Sequence, residues 1–243
     1  MNMLLLRGVD ERIEIPRADR RYEHIVKILK KTPGDSLEAG RTDGSLGVAI
    51  LESIGDKVLI LKFVPQDSAP PLRRLRILMG FPRPIQAGRI LKDLSSIGVF
   101  SIWFCLSALG DKSYANSRFF KEKDFEDPLV EGAEQGGNPL LPEVRTFWSL
   151  DAALDALAED EKTESWTKIG CHPGAGSFKL SEADRVEEPC VLALGSERGW
   201  TEQEVSRLKD RGFDIRNMGD RILKTETAVT VSVAIVLSKL GYM

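Results

Sequence analysis

Two segments in the last third of the chain hold the residue types best suited to chemistry. The first is Leu194-Gly195-Ser196-Glu197-Arg198-Gly199-Trp200-Thr201. Its glycines let the backbone approach a ligand closely, and a helix beginning behind it would offer free N–H groups. Thr201 and Glu204 have the spacing of a capping box, which marks that helix start. An ordinary strand-to-helix turn would look the same, and on these residues alone both readings stand. The second segment runs from Asn217 through Gly219, Arg221, Lys224 and Glu226 to Ala228, ahead of the apolar run 229–240. Polar groups packed this densely before a buried helix need partners, from caps and backbone or from a ligand. Thr225 or Thr227 is a candidate N-cap. A third stretch, Gly170-Cys171-His172-Pro173-Gly174-Ala175-Gly176, follows the strand-like run 166–169. Its glycines do not form GxGxxG and no helix opening follows, which argues against a nicotinamide dinucleotide site.

These segments need a frame. After Leu72, apolar runs of strand length (75–79, 99–106, 190–194) alternate with helical stretches around 87–96, 150–158 and 202–209. Such alternation predicts an α/β domain with a mainly parallel sheet and helices on its faces. Val191-Leu192-Ala193-Leu194 suits a strand buried on both sides. In open sheets of this kind ligands sit beyond the carboxyl ends of the strands, where the three segments fall. The first 64 residues read differently: strand-like runs at 3–6, 47–51 and 57–64, turn signals at Pro33-Gly34-Asp35 and Thr42-Asp43-Gly44, and one helix predicted over 22–31. That helix would place Ile25, Ile28 and Leu29 on one stripe. Residues 65–71, with three prolines, read as a linker, so the domain boundary is set at residues 70 and 71.

The 243 residues include 34 Lys and Arg against 37 Asp and Glu, a net charge of -3, so bulk charge gives no reason to expect nucleic-acid binding. Local clusters do. Residues 17–31 carry Arg17, Arg20, Arg21, Lys27, Lys30 and Lys31 with two acids, and residues 68–92 carry Arg73, Arg74, Arg76, Arg83, Arg89 and Lys92 with none. Such clusters can neutralise RNA phosphates, although a solvated helix face is the commoner meaning of any one. His24 is read as packing or capping within its helix and Trp103 as core. Three cysteines in no CxxC pair and two histidines argue against a metal site and for a reduced, cytoplasmic chain. The apolar stretch 97–109 falls short of a membrane span.

The run GDRILKTETA at 219–228 resembles the signature of the RsmE family, which methylates N3 of a uridine in 16S ribosomal RNA. Looser matches follow the family's order: HIVKILKKTPGD at 24–35, LKDLSSIGV at 91–99, EGAEQGGNPLLPEV at 131–144, and LGSERGWTEQE at 194–204, where the family has an IGPEGG-type loop. The resemblance implies a PUA-like RNA-binding β-barrel over 1–70 and a SPOUT methyltransferase domain over 71–243 whose chain forms a trefoil knot. Knots are rare among folds, and no pattern in the residues could have produced this one. It also implies a homodimer, S-adenosyl-L-methionine as cofactor, and small-subunit ribosomal RNA or the 30S particle as partner.

The family's three cofactor loops map onto His172 and Pro173, onto Leu194, Gly195 and Gly199, and onto Met218, Gly219, Ile222 and Leu223. Glu226 and Arg221, in the signature itself, are the candidate base and anion-stabilising cation, with Glu134 behind them. Arg17, Arg20, Arg21, Lys27 and Lys30 are the candidate RNA contacts. The chain departs from the family at Ser96, at Asn138 where an Arg is usual, and at Ser196 where the loop loses its proline. Two other functions fit the same residues: an RNA-binding protein without catalysis, and a SPOUT methyltransferase acting on another RNA.

Overall fold

The computed structural model describes residues 2–174 and 178–243; Ala175 and Gly176 of the third glycine stretch lie outside the described residues. The chain divides into two compact units, one of Met1–Pro71 with Val130–Leu141, the other of Leu72–Leu129 with Pro142–Met243.

The first unit is a five-stranded sheet. Its strands are β1 (Leu4–Leu6), β2 (Arg12–Pro16), β3 (Ser36–Arg41), β4 (Ser45–Ile54) and β5 (Val58–Ser68), in the order β1-β3-β4-β5-β2, with only β1 and β3 parallel. Leu59, Leu61 and Phe63 alternate inward along β5 and meet Ala49, Leu51, Leu4, Leu6 and Ile15. Each such large side chain taken out of water contributes about 1.5–3 kcal/mol before entropy is charged against it. The sequence runs at 3–6, 47–51 and 57–64 lie in β1, β4 and β5, whereas β2 and β3 carried no signal. Only Ile15 of β2 is buried, and β3 contains Glu38 and Gly40, both poor strand formers.

Two expectations for this unit are corrected. In place of a helix over 22–31 there is a short helix α1 (Arg20–Glu23) that runs into a π-turn at His24–Ile28, closed by Leu29 N–H donating to the His24 carbonyl at 2.8 Å. The wider turn breaks the 3.6-residue stripe. Ile25 is buried, while Ile28 is 66% and Leu29 40% exposed. The linker is also shorter than predicted, because β5 continues to Ser68. Pro65 is accommodated opposite Gly47, where the β4–β5 register shifts and a ladder donor is not needed.

The second unit holds a six-stranded, all-parallel sheet. In chain order its elements are β6 (Arg73–Gly80), α2 (Pro84–Ile97), β7 (Val99–Cys105), α3 (Lys112–Ala115), α4 (Arg118–Lys121) and α5 (Glu126–Gly136), whose last turns belong to the first unit. There follow β8 (Glu143–Phe147), α6 (Leu150–Asp160), β9 (Thr167–Cys171), β10 (Cys190–Leu194), α7 (Glu202–Asp210), β11 (Asp214–Arg216) and α8 (Thr225–Lys239). The strand order is β11-β9-β10-β6-β7-β8. Leu78, Trp103, Val191 and Ala193 pack with Leu154, Leu157, Val205 and Leu208 of α6 and α7. Alternation along the strands sends Ile77, Ile102 and Leu192 to the opposite face, where α8 contacts β10 and α2. Trp103 is core, as read from sequence.

Thr201 and Glu204 do form a capping box at the start of α7. The N-cap of α8 is Lys224 instead of Thr225 or Thr227, and no side chain closes it; Thr225 is buried as the first helical residue. No described helix is long and apolar enough to cross a membrane.

Candidate functional site

The site follows from strand register. Leu194 pairs with Cys171 and Arg216 pairs with Cys171, so β10, β9 and β11 end side by side and their following loops converge at one edge of the sheet. Between those loops lies a cavity of about 340 Å³, within the range of small-molecule sites. His172 and Pro173 line it from the loop after β9, Leu194, Gly195 and Gly199 from the loop after β10, and Met218, Gly219, Arg221, Ile222 and Leu223 from the loop after β11. The structure therefore gathers all nine candidate cofactor residues, and one of the two candidate catalytic residues, around a single space. Cys171, Ser196, Glu197, Arg198, Thr225 and Ala228 complete the lining; all six lie inside the three segments quoted from the sequence, though none was assigned to the cofactor individually. Which residues of those segments reach the cavity is decided by the way the loops close.

Local backbone chemistry shapes each loop. A Cβ on Gly195 would lie 2.4 Å from the Gly199 carbonyl carbon, so only glycine lets the two sides of that turn meet. Gly219 has φ +108, and its N–H donates to Asn217 Oδ1 at 2.9 Å. Asn217 is buried, donates its N–H to the Phe178 carbonyl at 2.8 Å and accepts from Leu180 N–H at 2.8 Å, which fixes the start of the third loop. Burial pushes the Cys171 thiol up to about 12, so this lining sulfur stays protonated and apolar near neutral pH. His172 Nδ1 is buried without a hydrogen-bond partner among the described residues. Leu194, Met218, Ile222 and Leu223 supply apolar walls. Main chain at close range, apolar walls and an unsatisfied ring nitrogen suit a nucleoside-containing ligand.

Glu226 is not part of the lining. In the first turn of α8 its carboxylate accepts from Gln86 Nε2 at 3.5 Å and lies 3.6 Å from Arg89 Nη1, both on α2. Glu134 belongs to the first unit and is 1% exposed; it accepts from Arg20 Nη2 at 2.8 Å and from Leu5 N–H at 3.3 Å, a structural pairing. Among the candidate RNA residues, Arg20 is thus engaged with Glu134, Arg21 chelates Asp19 and the Leu5 carbonyl, Arg17 donates to the Asp56 carbonyl, and Lys27 pairs with Glu23. Lys30 is exposed at φ +53.

The second basic cluster does not form one patch. Arg76 is 4% exposed, stacks 3.9 Å from the Trp103 ring and pairs with Asp160 at 2.7 Å, while Arg74 pairs with Glu164 and Arg73 lies over the Tyr242 ring. Among the described residues no group of three His, Cys, Asp or Glu is placed to hold a metal.

A family profile described as an RNA methyltransferase domain matches residues 69–237, and one described as an RNA methyltransferase PUA domain matches residues 18–64. The ribosomal RNA small subunit methyltransferase E of Treponema pallidum is 35% identical over 229 residues, covering 90% of this chain and 83% of that protein. Ribosomal RNA small subunit methyltransferase E 1 of Borreliella burgdorferi is 32% identical, covering 99% of both. A crystal structure of a Neisseria gonorrhoeae ribosomal RNA small subunit methyltransferase E bound to S-adenosyl methionine superimposes with a TM-score of 0.78 at 20% identity, covering 99% of this chain and 98% of that one. The fold is α/β, a parallel sheet with helices on both faces, preceded in sequence by a PUA-like unit. With both profiles matched in order and one third of all residues shared along the full length, this chain belongs to the RsmE family of RNA methyltransferases.

Proposed function

We propose that this protein transfers the methyl group of S-adenosyl-L-methionine to N3 of a uridine in 16S ribosomal RNA. One observation carries the reading: residues from three separate loops, 172–173, 194–199 and 218–223, close around one cavity at the carboxyl ends of adjacent parallel strands. The bound cofactor would supply an electrophilic methyl on a cationic sulfur. His172, Pro173, Leu194, Gly195, Gly199, Met218, Gly219, Ile222 and Leu223 would hold it, main chain and apolar side chains together. What the rest of the site must do is orient a nucleophile and manage a proton.

Uridine N3 sits on the Watson–Crick edge, so the base has to be unpaired or turned out before it can enter. N3 also carries a proton. Arg221, lining the cavity, stabilises the anion that forms when the proton leaves. Glu226, oriented by Gln86 and Arg89, accepts the proton directly or through water. Arg17, Arg20, Arg21, Lys27 and Lys30 of the PUA-like unit contact the RNA, with Lys30 the most available of the five. A homodimer is part of the same reading: Ile85 on α2, Ile222 before α8 and Val231 on α8 are apolar and exposed, and a partner copy would cover them. The work is done in the cytoplasm, on ribosomal RNA or the 30S particle.

Mass mapping of modified uridines in small-subunit ribosomal RNA, from cells with and without this protein, tests the substrate. One uridine is expected to lose a single methyl group in the cells lacking it. No difference at any uridine would refute the assignment, and a change confined to transfer RNA would move the substrate elsewhere.

A further inference from the structure

Two guanidinium groups line the cavity, Arg221 after β11 and Arg198 after β10. Both are exposed, and among the described residues neither has a hydrogen-bond or ion-pair partner. Arg198 is distinguished by how firmly its backbone is held. It is one of the two central residues of a tight turn closed by Gly199 N–H donating to the Ser196 carbonyl at 2.8 Å. Ser196 is buried and its hydroxyl meets Ser107 Oγ at 3.3 Å. Gly80 admits that residue, since a Cβ there would fall 2.6 Å from the Ser196 nitrogen. The other central residue, Glu197, is occupied, accepting from Arg83 N–H at 2.9 Å.

The turn is therefore pinned at both ends and at one of its two tips, and the remaining tip presents an uncommitted cation to the cavity. Asp111 is the acid within its field, and that carboxylate already accepts from Ser113 N–H at 2.8 Å. Leu194 is buried, whereas Arg198 is exposed, which puts the guanidinium on the solvent side of the space. When a base enters such a site its phosphates stay at the rim. A guanidinium there can take two phosphate oxygens at once, and little further order is lost when its turn is already rigid.

We propose that Arg198 binds a phosphodiester of the RNA substrate next to the nucleotide whose base enters the cavity. This rests on the methyltransferase reading above. It is tested with the full chain by fluorescence anisotropy, using a short, labelled, uridine-containing single-stranded RNA titrated at several salt concentrations, in parallel with calorimetric titration of S-adenosyl-L-methionine. Arg198→Gln is expected to weaken RNA binding about tenfold at low salt, the size of one charge-assisted contact. It should also lower the slope of log Kd against log salt by about 0.7, one single-strand phosphate. Arg198→Lys, which keeps the charge, restores the slope, and cofactor affinity stays that of the wild type in both variants. An unchanged RNA slope in Arg198→Gln overturns the proposal. So does a loss of cofactor affinity with the RNA slope intact, which would assign the guanidinium to the cofactor carboxylate. If the wild type binds no S-adenosyl-L-methionine, the methyltransferase reading fails while the RNA slope still decides the role of Arg198.

Discussion

Arg221 and Glu226 stand five positions apart in the chain and in different surroundings: the guanidinium is exposed at the cavity, and the carboxylate is held against α2 with about a fifth of its side chain exposed. Neither supports the fold through buried apolar area, so substitutions there should act on chemistry. Glu226→Gln and Arg221→Ala are expected to keep the wild-type unfolding midpoint and cofactor affinity but to slow methylation by about a hundredfold or more, the usual contribution of a proton-transfer group. Near wild-type turnover in both would remove them from the mechanism. The thiols allow a pH prediction. Burial pushes Cys171 and Cys190 up to about 12, against an ordinary value of 9.0. The folded state then keeps protons that the unfolded chain gives up, so stability is fully present below pH 9 and declines as the pH rises from 9 towards 12. Urea unfolding across that window should show the decline, reduced in a Cys171→Ala, Cys190→Ala double variant; a stability that rises with pH there would contradict it.

Among the elements, α7 carries the clearest energetic test. Glu204 is 2% exposed; Oε2 accepts from Thr201 N–H at 2.9 Å and Oε1 accepts from Ala108 N–H at 2.7 Å, in the loop after β7. Glu204→Ala removes a cap partner and strands a backbone donor, which should cost about 2 kcal/mol, against about 1 kcal/mol for Thr201→Ala. Equal losses in urea unfolding would show that the bond to Ala108 contributes nothing. The capping box was legible in the sequence because it depends on two residues three apart. So were β10, α6 and α7, whose apolar runs have the length and period of their elements. The π-turn was not, since Ile25, Ile28 and Leu29 satisfy a helical stripe that the wider turn then splits between core and solvent. Pro65 misled in the other direction: it reads as a breaker, yet a register shift gives it a place within β5. For the site, the loops at the strand ends were legible from topology and motif, while the lining contributed by Ser196 and Arg198 depends on how Gly195 folds back on Gly199, a contact no spacing rule contains.

For the whole molecule, sequence order and compactness disagree in one place. Val130–Leu141 lies just past the middle of the chain's order yet belongs to the first compact unit, where Glu134 pairs with Arg20 and Asn138 Nδ2 donates to the Pro70 carbonyl at 2.9 Å. Pairings across 114 and 68 positions leave no local trace in sequence, so a boundary drawn from prolines alone misses them. At this scale the exposed Ile85, Ile222 and Val231 predict association. Sedimentation should give twice the 27.0 kDa chain mass, with Ile85→Asp, Val231→Asp shifted to the single chain; a monomeric wild type would contradict the dimer. The pocket formed where β9, β10 and β11 end is the claim on which the functional account stands, and titration calorimetry of S-adenosyl-L-methionine into the wild type and Gly195→Val addresses it most directly. The account predicts saturable binding at one site per chain in the wild type and none in the variant, whose side chain forces the turn open. No heat from the wild type, or equal affinity in the two proteins, would contradict it.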